Sequence, residues 1–323
     1  MIIVTGGAGF IGSAFIWKLN SEGIEDILIV DELGSSDKWK NISSRKFTDY
    51  IHKDEFINKL DDSNRYFNAK TIIHMGACSS TTERDADYMM RNNYRYTKIL
   101  AEWSLVNDIH FIYASSAATY GDGSHSFSDD NTTTTKLQPL NIYGYSKHLL
   151  DIWALRNKIS DKITGLKFFN VFGPNEYHKE DMVSAVFRTY HQITGTGKVK
   201  LFKSCRKEYK DGEQMRDFVY VKDCVDIIWW LMNNKNVKGL FNIGTGKARS
   251  WNNLAEAVFS AMGRRQSVEY IDMPESLKDR YQYFTEAKME KLNSIGCPVK
   301  FRSLEDAVKD YVVNHLQKDN KCL

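Results

Sequence analysis

Short apolar runs alternate with longer segments of helical periodicity along the first half of the chain. The runs that predict strands lie at 2–5, 27–31, 71–74, 111–115 and 165–169. Between the first two, residues 11–19 place their apolar side chains at the spacing of one helix face. Near-continuous apolar strands that alternate with helices are typical of a parallel sheet covered on both faces. The pattern therefore predicts an α/β fold with a Rossmann-type doubly wound parallel sheet.

The pattern changes after residue 170. It predicts, in chain order, a helix at about 182–194, a strand at 199–202, a polar stretch at 203–215, strands at 218–221 and 241–244, and a helix at 251–262. We interpret these elements as a smaller C-terminal substrate-binding lobe, interleaved with the last strands of the sheet. The expected division is a dinucleotide-binding Rossmann domain at 1–170 plus about 217–246, and a substrate-binding lobe at about 171–216 plus 247–323.

Composition argues against several classes of function. A net charge of +3 over 323 residues, with Lys and Arg spread along the chain, argues against nucleic-acid binding. The 5 cysteines form no Cys-x-x-Cys pair and the 8 histidines no His-x-x-x-His pair, so we predict a reducing compartment and no metal site. No apolar stretch is long enough to span a membrane, and no signal segment opens the sequence. We therefore expect a cytoplasmic protein without a membrane partner.

A glycine-rich turn follows the first predicted strand and opens the first predicted helix. Its glycines are Gly6, Gly9 and Gly12. Glycine lets the backbone turn tightly and approach a pyrophosphate, which free N–H groups and the positive helix end then bind. This context favours a dinucleotide site over a turn that uses glycine for packing alone.

Two acidic residues end the second predicted strand, where a carboxylate can bind the adenosine ribose of a dinucleotide. Asp31 and Glu32 stand there, and on their own they favour NAD because they would repel a 2′-phosphate. Lys38 and Lys53 could neutralise that phosphate. The choice between NADP and NAD therefore stays open at this point.

Tyr143 and Lys147 stand one helical turn apart, so both side chains project from the same helix face. A tyrosine hydroxyl titrates at about pH 10, and a nearby ammonium group stabilises its phenolate and lowers that pKa. Ser116 follows the fourth predicted strand and can hydrogen-bond a reacting hydroxyl or carbonyl. The group predicts general acid–base catalysis coupled to hydride transfer by the cofactor.

These residues resemble the extended short-chain dehydrogenase/reductase family, most of whose members act on nucleotide-linked sugars. The closest resemblance is to the branch of ADP-heptose 6-epimerases, and it extends from residue 1 to about 311. It is carried by the runs at 77–83 (Ala-Cys-Ser-Ser-Thr-Thr-Glu), 88–94, 113–121, 170–174 (Asn-Val-Phe-Gly-Pro), 216–221 (Arg-Asp-Phe-Val-Tyr-Val) and 280–282 (Arg-Tyr-Gln), and by His178-Lys179.

The resemblance implies an isomerase that inverts C6 of the heptose in ADP-D-glycero-D-manno-heptose, a step toward the inner core of lipopolysaccharide. Tightly held NADP, with NAD as the alternative, would oxidise that carbon to a 6-keto group and return hydride to its other face. Tyr143 would serve one face and Lys179 the other. Ser116 would polarise the C6 oxygen, and Lys147 would lower the pKa of Tyr143 and bind the nicotinamide ribose. The family also implies a homo-oligomer, a pentamer.

The same resemblance assigns the binding residues. The implied cofactor set is Gly6, Gly9, Phe10, Ile11, Gly12, Asp31, Glu32, Lys38, Lys53, Met75, Gly76, Ala77, Cys78, Ser79, Asn92, Lys147, Val171 and Lys179. The implied substrate set is Ser116, Asn170, Asp181, Arg188, Phe202, Lys203, Ser204, Cys205, Arg216 and Tyr281. Arg216 suits the ADP diphosphate through bidentate, charge-assisted bonds. A structural ion pair with the aspartate that follows it is the alternative.

Three positions depart from the family's pattern. Glu32 stands where Asn is usual, and Met75 replaces an acidic residue. Lys203-Ser204-Cys205 replaces the usual Glu-Gly-Ser, and the stretch that follows at 206–215 is longer than is typical of the family. These departures leave two parts of the assignment open: whether the cofactor carries a 2′-phosphate, and whether the nucleotide of the substrate is ADP. Another nucleotide-sugar epimerase and a non-catalytic dinucleotide sensor are the alternatives. A dehydratase is disfavoured because Ala117 and Ala118 occupy the place of its acid–base pair.

Overall fold

The strands of the chain form one large sheet and two small ones. The computed structural model describes residues 1–60, 68–278, 281–318 and 322–323. Its strands are β1 (Ile2–Thr5), β2 (Ile27–Asp31), β3 (Asp49–His52), β4 (Thr71–His74), β5 (His110–Ser116), β6 (Thr164–Phe168), β7 (Asn170–Phe172), β8 (Val199–Phe202), β9 (Met215–Tyr220), β10 (Gly239–Ile243), β11 (Ala248–Ser250) and β12 (Val268–Ile271).

Helices connect these strands and cover the large sheet. They are α1 (Phe10–Ser21), α2 (Lys53–Asn58), α3 (Ala86–Met89), α4 (Tyr96–Val106), α5 (Asn131–Thr134), α6 (Ile142–Arg156), α7 (Ala185–Thr196), α8 (Val221–Asn233), α9 (Trp251–Ala261), α10 (Glu275–Lys278), α11 (Glu290–Ser294) and α12 (Leu304–Tyr311). Shorter 3₁₀ turns include Asp37–Asn41, Ala117–Tyr120 and Tyr177–Met182.

The large sheet has the strand order β10-β6-β5-β4-β1-β2-β3, and every pair in it is parallel. The chain runs outward from β1 to β3 on one side and returns through β4 to the other. The order therefore reverses between β1 and β4, and in such sheets ligands bind outside the carboxyl ends of the strands at that point. The predicted Rossmann-type doubly wound sheet is confirmed.

Both faces of this sheet are buried, which explains the continuous apolar runs in the sequence. Neighbouring side chains of a strand point to opposite faces. Ile3 packs into one apolar cluster and Val4 into the other, and neither is exposed. The predicted bounds of β1, β2 and β4 agree with the structure, because each of these strands has a continuous apolar run at its centre.

The smaller sheets lie after residue 170 in the chain. β11, β9 and β7 form a three-stranded sheet, and β12 pairs with β8. β10, which follows β9 and α8 in the chain, returns to the large sheet beside β6. This order matches an interleaved arrangement, while the division into two domains stays a prediction.

Several elements differ from the sequence-based expectation. β7, β11 and β12 were not predicted, and β9 begins at Met215 rather than at 218. The helix predicted from about 182 begins at Ala185, because Glu180 has φ +48° and Ser184 caps the helix by accepting the N–H of Phe187. β3 was not predicted, since Asp49–His52 has no apolar run. It forms because β2 offers it a parallel edge.

Candidate active site

A cavity of about 520 Å³ opens at the carboxyl ends of the central strands, where the strand order reverses. Every residue predicted to bind the cofactor lines this cavity, and so do the four predicted catalytic residues. Of the predicted substrate residues, all of which the structure describes, Ser116 alone lines it. The structure thus brings the cofactor and catalytic sets together and leaves most of the substrate set outside.

The glycine-rich turn packs backbone against backbone. Gly6 has φ +65°, and a Cβ at this position would meet the backbone of Gly76. A Cβ at Gly12 would collide with the carbonyl oxygen of Gly6. These contacts require glycine at both positions, and they leave the turn free of side chains beside the cavity.

Helix α1 begins at the cavity with its first turn uncapped by any side chain. Gly9 is the N-cap residue, and the first turn contains no acidic residue. The N–H groups of a first helical turn have no acceptor within the helix, and the helix dipole makes this end positive. The turn therefore fits the pyrophosphate of a dinucleotide.

The predicted ribose end of the cavity holds two carboxylates and two ammonium groups. Lys38 Nζ lies 2.5 Å from Asp31 Oδ1, and Lys53 Nζ lies 2.5 Å from Glu32 Oε2. Lys53 also donates to Asn92 Oδ1 at 2.9 Å. The hydrogen bond from Lys53 lowers the pKa of Glu32 against the opposing effect of burial. The four charges balance, so this end does not by itself repel a 2′-phosphate.

Helix α6 carries the tyrosine and lysine of the predicted catalytic group. Asn141 caps the helix by accepting the N–H of Gly144 at 2.8 Å. A Cβ at Gly144 would lie 2.6 Å from the carbonyl oxygen of Ala118, so glycine lets α6 approach the turn after Ser116. Lys147 is 2% exposed and donates to the carbonyl of Ala114 at 2.7 Å. This close approach puts the α6 side chains next to the end of β5.

The electrostatics of this group differ from the expectation. Burial raises the pKa of Tyr143, and a hydrogen bond with Ser116 opposes that rise. Burial lowers the pKa of Lys147 to about 8, against the attraction of Asp151. The expected lowering of the Tyr143 pKa by Lys147 is not seen, because burial dominates at Tyr143 and the ammonium group of Lys147 binds a backbone carbonyl instead.

Lys179 lines the cavity from a different element, the 3₁₀ turn Tyr177–Met182 that follows β7. Its Nζ lies 5.3 Å from the centre of the Phe10 ring, at the start of α1. Burial lowers the pKa of Lys179, Glu176 opposes that effect and Arg188 adds to it. Lys179 is therefore a half-buried amine whose neutral form is more accessible than that of a surface lysine.

His74, which ends β4, and Cys78, from the predicted cofactor set, both line the cavity. His74 is 1% exposed, and its Nε2 lies 2.8 Å from Thr97 Oγ1. Burial lowers its pKa to about 3, so the ring is neutral. Asn93 holds the backbone of Cys78 by accepting its N–H and donating to its carbonyl, each at 2.9 Å. Across the described ranges no group of three His, Cys, Asp or Glu side chains could hold a metal ion.

Part of the predicted substrate set forms a cluster beyond the cavity. The guanidinium of Arg216 lies 5.2 Å from the ring centre of Tyr281, which packs edge-on against Phe202. Cys205 donates its N–H to Tyr283 at 3.0 Å, so the 203–205 segment adjoins the same aromatic group. The remaining members of the set, Asn170, Asp181 and Arg188, are exposed at the surface. Arg188 donates a hydrogen bond to the carbonyl of Asp181. Arg280, part of the quoted motif, falls outside the described residues.

Arg216 is 8% exposed and does not pair with its neighbour in sequence. The Asp217 carboxylate accepts the N–H groups of Thr245 at 2.7 Å, Gly246 at 2.9 Å and Ala287 at 3.1 Å. Burial lowers the pKa of Arg216, and Tyr281 opposes that effect. A buried guanidinium held between rings rather than against a carboxylate is suited to an anionic ligand. Arg216 therefore does not form the ion pair with Asp217 that was the alternative interpretation of the sequence.

Several residues that line the cavity were not singled out from the sequence as site residues. His178 was quoted only as the neighbour of Lys179. Tyr88 and Tyr96 stand in helical segments, where an aromatic residue more often indicates packing. The unassigned side chains include Thr5, Tyr88, Tyr96, Phe169, His178 and Met182.

The fold and this site define a class of protein. The profile of the NAD dependent epimerase/dehydratase family matches residues 2–244, and the chain belongs to this family. The family's description agrees with the residues that line the cavity, so the cofactor is a nicotinamide dinucleotide. No helix in the described part of the chain is long and apolar enough to cross a membrane.

More specific likenesses extend over the whole chain. It is 57% identical to the ADP-L-glycero-D-manno-heptose-6-epimerase of Nitratidesulfovibrio vulgaris (strain Hildenborough), over 98% of each chain. It is 53% identical to the enzyme of the same name from Fusobacterium nucleatum, over 100% of each. The crystal structure of Helicobacter pylori ADP-L-glycero-D-manno-heptose-6-epimerase superposes with a TM-score of 0.79 at 28% identity, covering 97% of this chain and 95% of that one. The resemblance drawn from the motifs is confirmed.

Proposed function

We propose that this chain converts ADP-D-glycero-D-manno-heptose to ADP-L-glycero-D-manno-heptose by inverting C6 of the heptose, for the inner core of lipopolysaccharide. Full-length likeness to enzymes that carry this name supports the substrate. The single observation that supports the chemistry is that Tyr143 and Lys179 line one cavity from two separate elements. Inversion requires proton transfer on both faces of one carbon, and one base cannot serve both.

The residues of the cavity fit a nicotinamide dinucleotide. The amides at the start of α1 would hold its pyrophosphate, Asp31 its adenosine ribose, and Lys147 its nicotinamide ribose. When bound, the nicotinamide would take a hydride from C6 and return it to the opposite face of the same carbon. The overall reaction is then redox-neutral, and no external oxidant is consumed.

The protein's own groups would move the protons. On one face, Tyr143 would accept the proton of the 6-hydroxyl while the C6–H bond breaks, which gives the 6-keto group. This requires the positive charge of a bound oxidised nicotinamide to offset the rise in the Tyr143 pKa that burial causes. Ser116 donates a hydrogen bond to that oxygen and holds it beside the phenol. On the other face, Lys179 as ammonium gives a proton to the C6 oxygen when the C6–H bond re-forms. The lowered pKa of Lys179 suits it to run the same transfer in reverse.

Recognition of the nucleotide would fall to the cluster beyond the cavity. Arg216 would bind the diphosphate, because its guanidinium is buried and lies between the rings of Tyr281 and Trp251. Residues 202–205 would contact the nucleoside, and Asn170 of β7, Asp181 and Arg188 of α7 would contribute further substrate contacts.

NADP is the proposed cofactor, with NAD as the competitor. Lys38 and Lys53 could each turn from its carboxylate to a 2′-phosphate, and both line the cavity. Asp31 would keep two backbone hydrogen bonds, from the N–H of Ala8 to its Oδ2 at 2.8 Å and from the N–H of Glu32 to its Oδ1 at 2.7 Å. We also propose a cytoplasmic homo-oligomer, on the resemblance alone.

A proton NMR time course of the purified protein with ADP-D-glycero-D-manno-heptose, without added cofactor, tests the function. Appearance of the L-glycero epimer would support the substrate, the reaction and a retained cofactor together. If no conversion follows even when NADP or NAD is added, the heptose assignment is wrong. Conversion of another nucleotide sugar would then identify a different epimerase, and bound cofactor without any turnover would identify a sensor.

A further inference from the structure

Asn41 joins three separate segments at the edge of the cavity. It ends the 3₁₀ turn Asp37–Asn41 and is 1% exposed. Its Nδ2 donates to the carbonyls of Ala8 at 2.9 Å and Asn175 at 3.2 Å, and it lies 3.2 Å from Nδ1 of His178. Its Oδ1 accepts the hydroxyl of Tyr177 at 2.5 Å. One buried amide thus connects the glycine-rich turn to the loop that carries Lys179.

A second asparagine strengthens the same connection. Asn175 has φ +77°, which places its backbone in the left-handed region. Its Nδ2 donates to Ser13 Oγ at 2.9 Å, in α1. The loop after β7 is therefore tied to both the turn before α1 and the first part of that helix.

We propose that Asn41 is a positioning residue that fixes Lys179 relative to the glycine-rich turn. Within the described residues no side-chain hydrogen bond holds Lys179, whose Nζ lies against the Phe10 ring. Its position depends on the backbone at 175–178, and Asn41 binds that backbone at the Asn175 carbonyl and through the side chains of Tyr177 and His178. This role rests on the proposed function of Lys179 as one of two bases.

The inference predicts an asymmetric defect. Loss of Asn41 should slow proton transfer on the face that Lys179 serves and spare the face that Tyr143 serves, because Tyr143 is held by α6. A misplacement of about 1 Å commonly costs up to about a hundredfold in rate. One epimer of the substrate should therefore reduce the bound nicotinamide at nearly the wild-type rate, while the other does so at least about tenfold more slowly.

Asn242 offers a matched control. It is also buried, its Nδ2 donates to the carbonyls of Phe127 at 2.8 Å and Lys288 at 2.9 Å, and its Oδ1 accepts the hydroxyl of Tyr120 at 2.6 Å. It does not line the cavity. Asn242→Ala removes the same kind of hydrogen bonds as Asn41→Ala, at a place that the inference does not involve.

The test uses the cofactor-loaded wild type, Asn41→Ala and Asn242→Ala. Rapid mixing with each ADP-heptose epimer gives the rate of nicotinamide reduction, and thermal unfolding gives the melting temperature. Hydrogen–deuterium exchange, which needs no substrate, follows the amides of 175–182. We expect the epimer asymmetry and faster exchange at 175–182 in Asn41→Ala alone. Tyr177→Phe, which removes one of these hydrogen bonds, keeps the test available should Asn41→Ala fail to fold.

The outcomes test the positioning role of Asn41 separately from the proposed function. If exchange at 175–182 is unchanged in Asn41→Ala, if Asn41→Ala slows both epimers equally, or if Asn242→Ala shows the same asymmetry, Asn41 has no positioning role. If the wild type itself reacts with neither epimer, the proposed function is wrong, and the exchange result still decides whether Asn41 holds the loop.

Discussion

The ammonium group of Lys167 lies 2.7 Å from Oδ2 of Asp151, and neither side chain is exposed to solvent. Asp151 also accepts the hydroxyls of Tyr113 at 2.9 Å and Ser115 at 2.8 Å, and Lys167 donates to Thr119 at 2.8 Å. A buried ion pair with its remaining hydrogen bonds satisfied is costly to break from one side. This pair joins α6 to β6, since Asp151 stands two turns after Tyr143 on α6 and Lys167 lies in β6.

Lys167→Met should lower the free energy of unfolding by about 3–5 kcal/mol, because it leaves a buried carboxylate without its partner. The double variant Asp151→Asn/Lys167→Met should be more stable than Lys167→Met, since the amide carries no charge and still bonds both hydroxyls. Urea denaturation measures both. A double variant that is no more stable than the single one would show that the unpaired charge is not the cause.

Tyr143→Phe should reduce turnover between about 100-fold and 10,000-fold, the usual contribution of a general base or acid. Cofactor should remain bound, because the phenyl ring keeps the packing. Tyr145→Phe is the control, since Tyr145 stands on the same helix and is 46% exposed. The NMR assay of epimer conversion measures both, and near-normal conversion by Tyr143→Phe would remove it from the mechanism.

Lys179→Met should abolish inversion while the protein folds normally and retains cofactor. Methionine keeps the apolar contact with Phe10 but has no proton to give. Lys198→Met, an exposed lysine after α7, serves as the control. The bound cofactor is measured by absorbance and the conversion by NMR. Should Lys179→Met invert C6 at the wild-type rate, the second base is another residue.

Glu32→Asn should increase the affinity for NADP relative to NAD by about tenfold or more, the contribution of one charge-assisted hydrogen bond. The substitution frees Lys53 from its ion pair and removes a negative charge from the ribose end. Lys53→Ala should have the opposite effect, and Lys46→Ala, at the surface against Glu25, should have none. Calorimetric titration of cofactor-stripped protein checks this. An unchanged ratio in Glu32→Asn would mean that Lys53 does not contact the 2′-phosphate.

Stability should fall at acid pH through Asp310. Burial opposes its ionisation, but hydrogen bonds from Lys222, Asn314 and Tyr220 outweigh burial and hold the pKa of this carboxyl well below its ordinary value. A carboxyl with a lowered pKa in the folded state stabilises the fold above its unfolded pKa of about 3.9, and the contribution is lost as pH falls further. Asp310→Asn should flatten the decline of unfolding free energy below about pH 4. An unchanged slope would assign the acid sensitivity to other carboxyls.

The sequence allowed most of the cavity to be predicted and much less of its electrostatics. Gly6, Asp31 and Met75 stand at or just after the ends of parallel strands, and parallel strands end at one edge of a sheet, so these residues meet there. Asn92 and Lys147 stand in helical segments and were assigned by resemblance. The pairing of Lys38 with Asp31 and of Lys53 with Glu32 has no such signature, because a lysine near a sheet edge can equally face solvent. The direction of the Tyr143 pKa was also beyond prediction, since it depends on the depth of burial.

The contacts among the substrate residues could not be predicted from the sequence either. They were assigned by resemblance, and the structure places Phe202, Arg216 and Tyr281 together although they come from distant parts of the chain. Their aromatic contacts follow from how β8, β9 and the segment after α10 pack. No local pattern in the sequence encodes that packing.

The alternation of Arg216 and Asp217 along β9 has a consequence for how this chain can diverge. A slip of one residue in a strand exchanges its two faces, which would exchange the guanidinium and the carboxylate. Asp217, on the opposite face of β9 from Arg216, prevents the slip, because it accepts hydrogen bonds from three backbone N–H groups and the hydroxyl of Thr245. Insertions and deletions in the preceding loop can therefore accumulate over generations while Arg216 keeps its place, so the length of that loop and the proposed diphosphate contact can evolve as separate traits.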